Sequence, residues 1–335
     1  MNNAIKPGLA LALTLAVSTL QAAEWEVPRT ASGQPDLQGV WTNKTMTPLT
    51  RSQEFGDLRA LSPEQVATLE GNYQEYLDAE FAASDPEREA GAGAQAGDDG
   101  NTNDGYNEFW KDEGTHVQRI NGEYRSSIII DPPDGQIPFQ ENARSFFQRE
   151  PGAPGPYDGP EARPLAERCL LSFGSSSGPP MLPVMYNNNY QIVQTSDYVV
   201  ILVEMVHDAR IIRLNDEPMT GASKWMGDSV GHWDGGTLVV ETAGFNPQQS
   251  FRGASESLKV TERFTRVSES EILYSFTMDD PTVFSREWTG ELMFNARPSQ
   301  EPIYEYACHE GNYALPGILA GARRQEMQEA EAANN

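Results

Sequence analysis

Basic residues are scarce in this chain, in which 24 Lys and Arg stand against 49 Asp and Glu among 335 residues. The formal net charge of -25 at pH 7 excludes nucleic acid and anionic membrane surfaces as default partners, because both would repel the chain. Apolar runs of roughly 20 residues, the length that spans a bilayer, are also missing. We therefore expect no membrane insertion of the mature chain.

The N-terminal segment has the pattern of a secretory signal peptide. Lys6 precedes an apolar run from Leu9 to Leu20, and the small residues Ala22 and Ala23 offer a cleavage site. The run is too short for a hydrocarbon layer of ~30 Å, which disfavours the alternative of an uncleaved anchor. We predict that residues 1–23 are removed and that the mature protein is periplasmic or secreted.

Cysteine is almost absent, since Cys169 and Cys308 are the two in the chain. In an oxidising compartment an isolated pair favours a disulfide. The bond would close a loop of about 140 residues and stabilise the fold by up to ~5 kcal/mol in the chain-entropy description. The alternative is two separate buried thiols.

The 29 Gly and 23 Pro argue against a helical bundle and favour a loop-rich β protein. Short alternating apolar runs, separated by turn residues, recur from Tyr190 onward and predict nine strands. These are Gln191–Thr195, Tyr198–Val206, Ala209–Leu214, Asp228–Trp233, Thr237–Ala243, Leu258–Val267, Glu271–Asp279, Arg286–Phe294 and Ile303–Cys308. The predicted fold is mainly β, an antiparallel meander closing into a barrel, because closure leaves no exposed strand edges.

Residues 24–315 are predicted to form one barrel domain with an N-terminal helix and long covering loops. Ser62, Pro63 and Gln65 match the start of a helix, with an N-cap, a proline at the first position and a capping box. The predicted segments are a helix over 62–83, an acidic mobile loop over 84–105, a Pro- and Gly-rich covering segment over 150–189 and a polar tail over 316–335.

Two short motifs resemble those of lipocalins. Gly39-Val40-Trp41 matches the G-x-W that opens their first strand, and Thr195-Ser196-Asp197-Tyr198 is close to their T-D-Y. The resemblance implies a lipocalin-like barrel that holds a small ligand. The inserted Ser and at least six predicted strands after it depart from that family's plan. The stretch 187–310 is otherwise similar to uncharacterised exported bacterial proteins, a similarity that implies no chemistry.

The four histidines are His116, His207, His232 and His309. A purely antiparallel meander places the turn after His207 and the turn after His232 at one end of the barrel, and His309 at the opposite end. The two ends lie roughly 20 to 30 Å apart for strands of this length. We therefore expect no three-histidine metal site, and we predict no metal and no cofactor.

Long loops follow the predicted strands at one end, and such loops on a rigid scaffold commonly carry function. The candidate catalytic residues there are Asp228, Glu241, Arg252 and His309, with His207 and His232 as further candidates at the other end. A two-residue turn at Asp234-Gly235 would place Asp228 opposite Glu241. Two opposed carboxylates raise the pKa of one of them, which suits acid/base chemistry; the alternative is a solvent-facing acidic pair.

The candidate ligand-binding residues are polar or aromatic side chains on the predicted strands and loops. They are Trp225, Glu204, Arg213, Tyr274 and Glu262. Glu204 interrupts an apolar run, and it either forms a cross-strand ion pair near Arg213 or anchors a ligand inside the barrel. Glu262 falls on the apolar face of its strand, and Tyr274 is expected to be an interior aromatic residue.

These observations predict an exported β-barrel protein that acts on a small, partly apolar molecule. The first hypothesis is an acid/base enzyme of lyase, isomerase or hydrolase type. The alternative is a non-catalytic, lipocalin-like carrier of a small hydrophobic ligand, and a third class is an interaction or scaffold module. The sequence predicts a small-molecule partner and leaves the oligomeric state open.

Overall fold

The structure is a computed structural model that describes residues 25–80, 111–141, 143, 152–172, 178–214, 218–249, 251–298 and 301–334. The predicted signal peptide and the predicted acidic loop lie outside the described residues. The strands are β1 (Gly39–Thr42), β2 (Ala60–Leu61), β3 (Arg119–Ile120), β4 (Glu123–Arg125), β5 (Ile129–Asp131), β6 (Asn189–Gln194), β7 (Tyr198–Val203), β8 (Ala209–Arg213), β9 (Asp228–Asp234), β10 (Thr237–Ala243), β11 (Lys259–Arg266), β12 (Glu271–Asp279) and β13 (Trp288–Ala296). The helices are α1 (Pro63–Glu80) and α2 (Ala314–Ala333).

Nine of the described strands close into a barrel in the order β1-β6-β7-β8-β9-β10-β11-β12-β13, with β13 pairing back to β1. β5 pairs with the first half of β13, and the three short strands β2, β4 and β3 form a separate sheet. The prediction of a mainly β barrel is confirmed.

One strand pair differs from the predicted meander. β8 and β9 run parallel, with Ile212 beside Ser229 and Arg213 beside Val230, while the other neighbouring pairs around the described barrel are antiparallel. Parallel neighbours need a crossover connection, which the chain makes between Leu214 and Gly227. The prediction of an all-antiparallel meander is therefore wrong at this point.

The crossover changes which loops share an end of the barrel. The connections at 204–208, 244–258 and 280–287 lie at one end, here called the long-loop end. The short turns between β6 and β7, β9 and β10, and β11 and β12 lie at the other, the tight-turn end. His207 is therefore at the long-loop end, and β9 carries His232 towards the tight-turn end, so the prediction that they share an end is wrong.

The segment from 301 to 313, here called the strap, corrects another predicted element. Its residues Ile303–Cys308 were expected to form the last strand, but they are irregular and lead into α2. The helix predicted over 62–83 is present as α1 over Pro63–Glu80, and residues 81–83 lie outside the described residues. Its capping box joins Ser62 Oγ to the Gln65 N–H and Gln65 Oε1 to the Ser62 N–H.

Aromatic side chains fill the barrel lumen. Alternate residues of β12 point inward and are buried, and they are Ile272, Tyr274, Phe276 and Met278. The Tyr274 ring lies 5.0 Å from the rings of Phe264 and Phe294, measured between centroids. At the tight-turn end the Arg266 guanidinium lies 5.4 Å from the centre of the Trp41 ring.

A buried ion pair crosses the lumen. The Arg210 guanidinium on β8 donates two hydrogen bonds to the Glu262 carboxylate on β11, at 3.0 and 2.5 Å, and both side chains are 0% exposed. The Tyr274 hydroxyl donates a third hydrogen bond to Glu262, at 2.8 Å. Since β8 and β11 are not neighbours in the sheet, the pair ties opposite walls of the barrel together.

The substitution Glu262→Leu should lower the free energy of unfolding by about 3–5 kcal/mol, because it leaves the Arg210 charge buried and unpaired. The double replacement with Arg210→Met should recover most of this loss, since no charge then remains in the lumen. Urea unfolding measures both free energies. The matched control is Arg263→Ala, which breaks the exposed pair with Asp234 and should cost less than about 1 kcal/mol; a similar cost for Glu262→Leu would contradict the prediction.

Candidate functional site

The turn between β7 and β8, at the long-loop end, has a strained backbone. The apolar run expected to continue to Val206 as a strand ends at Val203, and a 3₁₀ turn follows over Met205–His207. Val206 and His207 have φ of 62° and 47°, the left-handed region that costs a β-branched residue most. Such strain, of order 1–3 kcal/mol per residue, persists only where the surroundings fix it, commonly at functional sites.

Contacts from three sides fix this turn. The Val203 N–H donates to the Asp208 carbonyl at 2.8 Å, which closes the turn, and the Glu204 N–H donates to the Asn189 carbonyl at 3.0 Å. From the strap, the Tyr306 carbonyl lies 3.0 Å from Nδ1 of His207. Met205 and Val206 are buried.

A polar cavity of about 430 Å³ lies on one side of the turn. Its lining combines tyrosines, asparagines and charged groups, namely Asp112, Tyr186, Asn187, Asn189, Glu204, Arg297, Tyr304 and Tyr306. Glu204 is 4% exposed and accepts hydrogen bonds from Asn189 Nδ2 and from the Tyr304 N–H. The rings of Tyr186 and Tyr306 stack at 6.4 Å.

An apolar cavity of about 820 Å³ lies beside the polar one. Most of its lining is aliphatic or thioether, including Met46, Leu49, Ile128, Leu182, Val184 and Met205. Tyr186 lines both cavities, and the neighbours Glu204 and Met205 each line one of them. The two cavities are therefore neighbours that share Tyr186 as part of their walls, and together they are called the cleft here.

The segment before β6 forms a wall of this cleft and is anchored in the lumen. The buried Met181 donates its N–H to the Tyr274 hydroxyl at 2.9 Å, and its carbonyl accepts a hydrogen bond from Asn43 Nδ2 at 2.9 Å. Asn43 Nδ2 also lies 3.1 Å from the Tyr190 hydroxyl. The cleft residues that follow, from Leu182 to Tyr186, are positioned by these buried contacts.

The strap passes over the polar cavity and is fixed beyond it. Cys308 forms a disulfide with Cys169, with a Cα–Cα distance of 5.8 Å, so the predicted bridge is confirmed. Asn312 Nδ2 donates to the Glu167 carbonyl at 2.7 Å. The disulfide therefore holds Tyr304 and Tyr306 against the turn at 204–208.

Two carboxyl groups at the long-loop end have shifted pKa values in opposite directions. Burial raises the pKa of Asp208 to about 6, although the neighbouring His207 acts to lower it. The hydrogen bonds from Arg213, and then from Lys224 and Thr220, lower the pKa of Asp228 despite its burial. Asp208 therefore titrates near neutral pH, whereas Asp228 stays ionised.

The predicted pairing of Asp228 with Glu241 is wrong. The hairpin turn consists of Gly235 and Gly236, so Asp228 pairs with Ala243 and Glu241 with Val230. Asp228 is buried and binds Arg213 through both of its carboxylate oxygens, at 2.8 and 3.2 Å, while Glu241 is exposed. The raised pKa expected for one of these carboxyls is not found at Asp228.

The other predicted catalytic residues lie at separate places. His232 is exposed on β9, and His309 is exposed on the strap, next to the disulfide. The backbone of Arg252 belongs to a 3₁₀ turn, Phe251–Gly253. Within the described residues, no group of three or more His, Cys, Asp and Glu side chains is arranged to hold a metal ion.

The predicted ligand-binding residues divide into two groups. Tyr274 and Glu262 point inward as predicted and pack within the filled lumen. Arg213 binds Asp228 rather than Glu204, so the cross-strand ion pair considered for Glu204 is wrong. Glu204 lines the cleft, and Trp225 is half-buried in the crossover.

Sequence reasoning missed the aromatic part of the cleft. Tyr186, Tyr304 and Tyr306 were not singled out, because they lie in a covering segment and in an apparent last strand. The available signal is the spacing of Tyr304 and Tyr306, which are two residues apart with the charged Glu305 between them. Asp208 lies in the turn predicted after His207, and its partial burial depends on the fold around it.

Asp208→Asn should stabilise the protein at neutral pH by about 1 kcal/mol, a modest value because partial exposure screens the carboxylate. The raised pKa means that the folded state binds more protons than the unfolded state between about pH 4 and the folded value near 6. Stability due to this group therefore falls as pH rises through that window. Urea unfolding of both proteins should show equal stability near pH 4 and a gap at pH 7.5, and parallel pH profiles would contradict this.

Comparisons with known proteins assign no family to this chain, so its function is inferred from the geometry of the site. No protein-family model matches the sequence, and the search of curated proteins finds no match. No helix among the described residues is long and apolar enough to cross a membrane. The disulfide between Cys169 and Cys308 fits an exported protein, since such bonds persist in oxidising compartments.

Proposed function

We propose that this chain is an exported protein that binds a small, partly apolar molecule in the two-part cleft at the long-loop end of the barrel. One observation carries the proposal: an apolar and a polar cavity meet at Tyr186 and at the strained turn. Ligand sites are commonly concave, mostly apolar and equipped with a few polar groups that orient the ligand. The predicted signal peptide and the disulfide support export.

The volumes and the lining suit a ligand of small-molecule size. Cavities of about 430 and 820 Å³ fall within the range of roughly 300–1,000 Å³ usual for such sites. Flexible methionines at Met46, Met185 and Met205 line the apolar cavity, and thioether side chains adapt well to varied apolar ligands.

The proposal places the ligand outside the lumen, unlike a lipocalin-type carrier. The lumen is occupied by aromatic rings and by the Arg210–Glu262 pair. The barrel has nine described strands and one parallel pair, whereas a lipocalin barrel has eight strands in an up-and-down arrangement. Replacing Tyr274 by a smaller residue should therefore lower the free energy of unfolding more than it lowers ligand affinity.

Val184→Trp should weaken binding of the neutral apolar dye N-phenyl-1-naphthylamine by about tenfold or more, because the indole would occupy part of the apolar cavity next to Tyr186. Val184 is half-buried, and its backbone N–H donates a hydrogen bond to Asn188 Oδ1. The replacement leaves this bond in place, because it does not involve the Val184 side chain. Dye fluorescence in a titration measures the affinity.

Val193→Trp is the matched control, since it adds the same volume at an exposed position on the outer face of β6. Its affinity for the dye should equal that of the wild type. The proposal fails if the wild type binds no dye and carries no co-purified small molecule by native mass spectrometry, or if both variants bind as the wild type does.

Acid/base catalysis is the second candidate function, and the Asp208 carboxyl favours it. A pKa of about 6 lets one group donate and accept protons near neutral pH, as a general acid or base must. His207 is adjacent, and its ring contacts the Tyr306 carbonyl at the edge of the polar cavity. The strained backbone of this turn is a further feature common to active sites.

If Asp208, in the turn whose Glu204 and Met205 line the cleft, is the general acid or base, Asp208→Asn should lower kcat by about 100-fold, the usual contribution of such a group. It should also remove the limb of the pH–rate profile near pH 6. Turnover of a panel of esters, lactones and epoxides is measured by mass spectrometry, with Asp234→Asn at the tight-turn end as the control. An unchanged rate and profile in Asp208→Asn would exclude Asp208 as the acid or base, and an absence of turnover by the wild type would contradict the catalytic function itself.

A further inference from the structure

Glu204 is a buried carboxylate that has no cationic partner among the described residues. No Lys, Arg or His side chain in the described part of the chain lies within 4 Å of its carboxylate. Glu262, by contrast, binds Arg210, and Asp228 binds Arg213 and Lys224.

The hydrogen bonds to Glu204 also leave it incompletely satisfied. Its two donors are the neutral Asn189 amide and the Tyr304 N–H, the latter at 3.3 Å. An ionised carboxylate can accept about four hydrogen bonds. Asp280, a buried carboxylate that also has neutral donors, receives three bonds at 2.6–3.1 Å from the Ser255 N–H and from the N–H and hydroxyl of Thr282.

The remaining charges of the polar cavity cancel in pairs. Asp112 binds Lys44 at 2.7 Å, and Arg297 binds Glu301 at 2.8 Å. The charge left over in this cavity is therefore the negative charge of Glu204. A buried charge without a partner is costly, so a cationic group entering the cavity would be stabilised there.

Three tyrosines surround the same space. Tyr186, Tyr304 and Tyr306 line the cavity, and Tyr186 and Tyr306 stack with an interplanar angle of 12°. The faces of aromatic rings carry negative charge density and attract ammonium groups, and several rings together form the aromatic cages that bind organic cations. The chain's net charge of -25 also raises the local concentration of cations.

From these observations we infer that the ligand is an alkylammonium compound. Its ammonium group donates hydrogen bonds to Glu204 and contacts the tyrosine rings, and its alkyl part lies in the apolar cavity beyond Tyr186. This inference rests on the proposed function and specifies the ligand class of the same cleft.

The test compares three probes of equal chain length: octylamine, which is protonated at pH 7.5, 1-octanol and octanoate. Isothermal titration calorimetry with the full mature protein should show octylammonium binding at least about tenfold more tightly than octanol, with octanoate the weakest. Raising the salt concentration should weaken octylammonium binding and leave octanol binding unchanged, because salt screens only the charged ligand.

Two variants test the residues. Glu204→Gln should reduce octylammonium affinity to the level of octanol and leave octanol affinity unchanged, which also shows that the cleft is folded. Tyr304→Leu keeps the backbone N–H that binds Glu204 and should weaken octylammonium alone, by about threefold or more. Glu305→Gln is the matched control, because it removes the same charge from an exposed neighbour on the strap and should bind all probes as the wild type does.

The outcomes separate this inference from the proposed function. If octanol binds in the cleft and octylammonium binds no more tightly, the ligand is not a cation and the proposed function stands. If octylammonium is preferred but Glu204→Gln and Tyr304→Leu both retain the preference, the assignment to the polar cavity is overturned. If none of the three probes binds and Val184→Trp changes nothing, the proposed function fails as well.

Discussion

The carboxylate of Glu262, buried in the lumen, is the group on which the arrangement of this protein depends. It accepts hydrogen bonds from Arg210 and from Tyr274, and the Tyr274 hydroxyl in turn accepts the N–H of Met181. One ionised group therefore joins opposite walls of the barrel and extends, through a single tyrosine, to the segment that forms a wall of the cleft. Buried side chains thus fill the lumen, and the two cavities of the cleft lie at the long-loop end of the barrel.

The strap completes the cleft by a different physical means. Where the wall before β6 is held by buried hydrogen bonds, the strap is half-exposed and is held by the disulfide at Cys308 and by two contacts to the turn at 204–208. Most residues of the strap are exposed, and exposed segments commonly have lower local stability than buried ones. A ligand would then enter most easily past Tyr304 and Tyr306, without disturbing the barrel.

The features that could be predicted from the sequence are those that local physics determines. The alternation on β12, the capping box of α1 and the single possible cysteine pair each depend on a few residues, and each is confirmed. The hairpin register could not be predicted, because Asp234-Gly235-Gly236 permits two turns that differ by a slip of two residues, and such a slip leaves every side chain on its face. The cleft could not be predicted for a related reason: its lining comes from segments far apart in the chain, such as those of Met46, Tyr186, Glu204 and Tyr306.

The parallel pair follows from the number of strands. Neighbours can alternate in direction all the way around a ring only if the number of strands is even. The barrel consists of β1 and the eight strands β6 to β13, which is nine, because Ile303–Cys308, predicted as a further strand, forms the strap instead. One parallel pair is then unavoidable, and it lies at β8 and β9, where a crossover was available. The replacement of the last predicted strand by the strap and the change in which loops share an end therefore go together. The strap and the turn bearing Glu204 and His207 lie at the same end of the barrel.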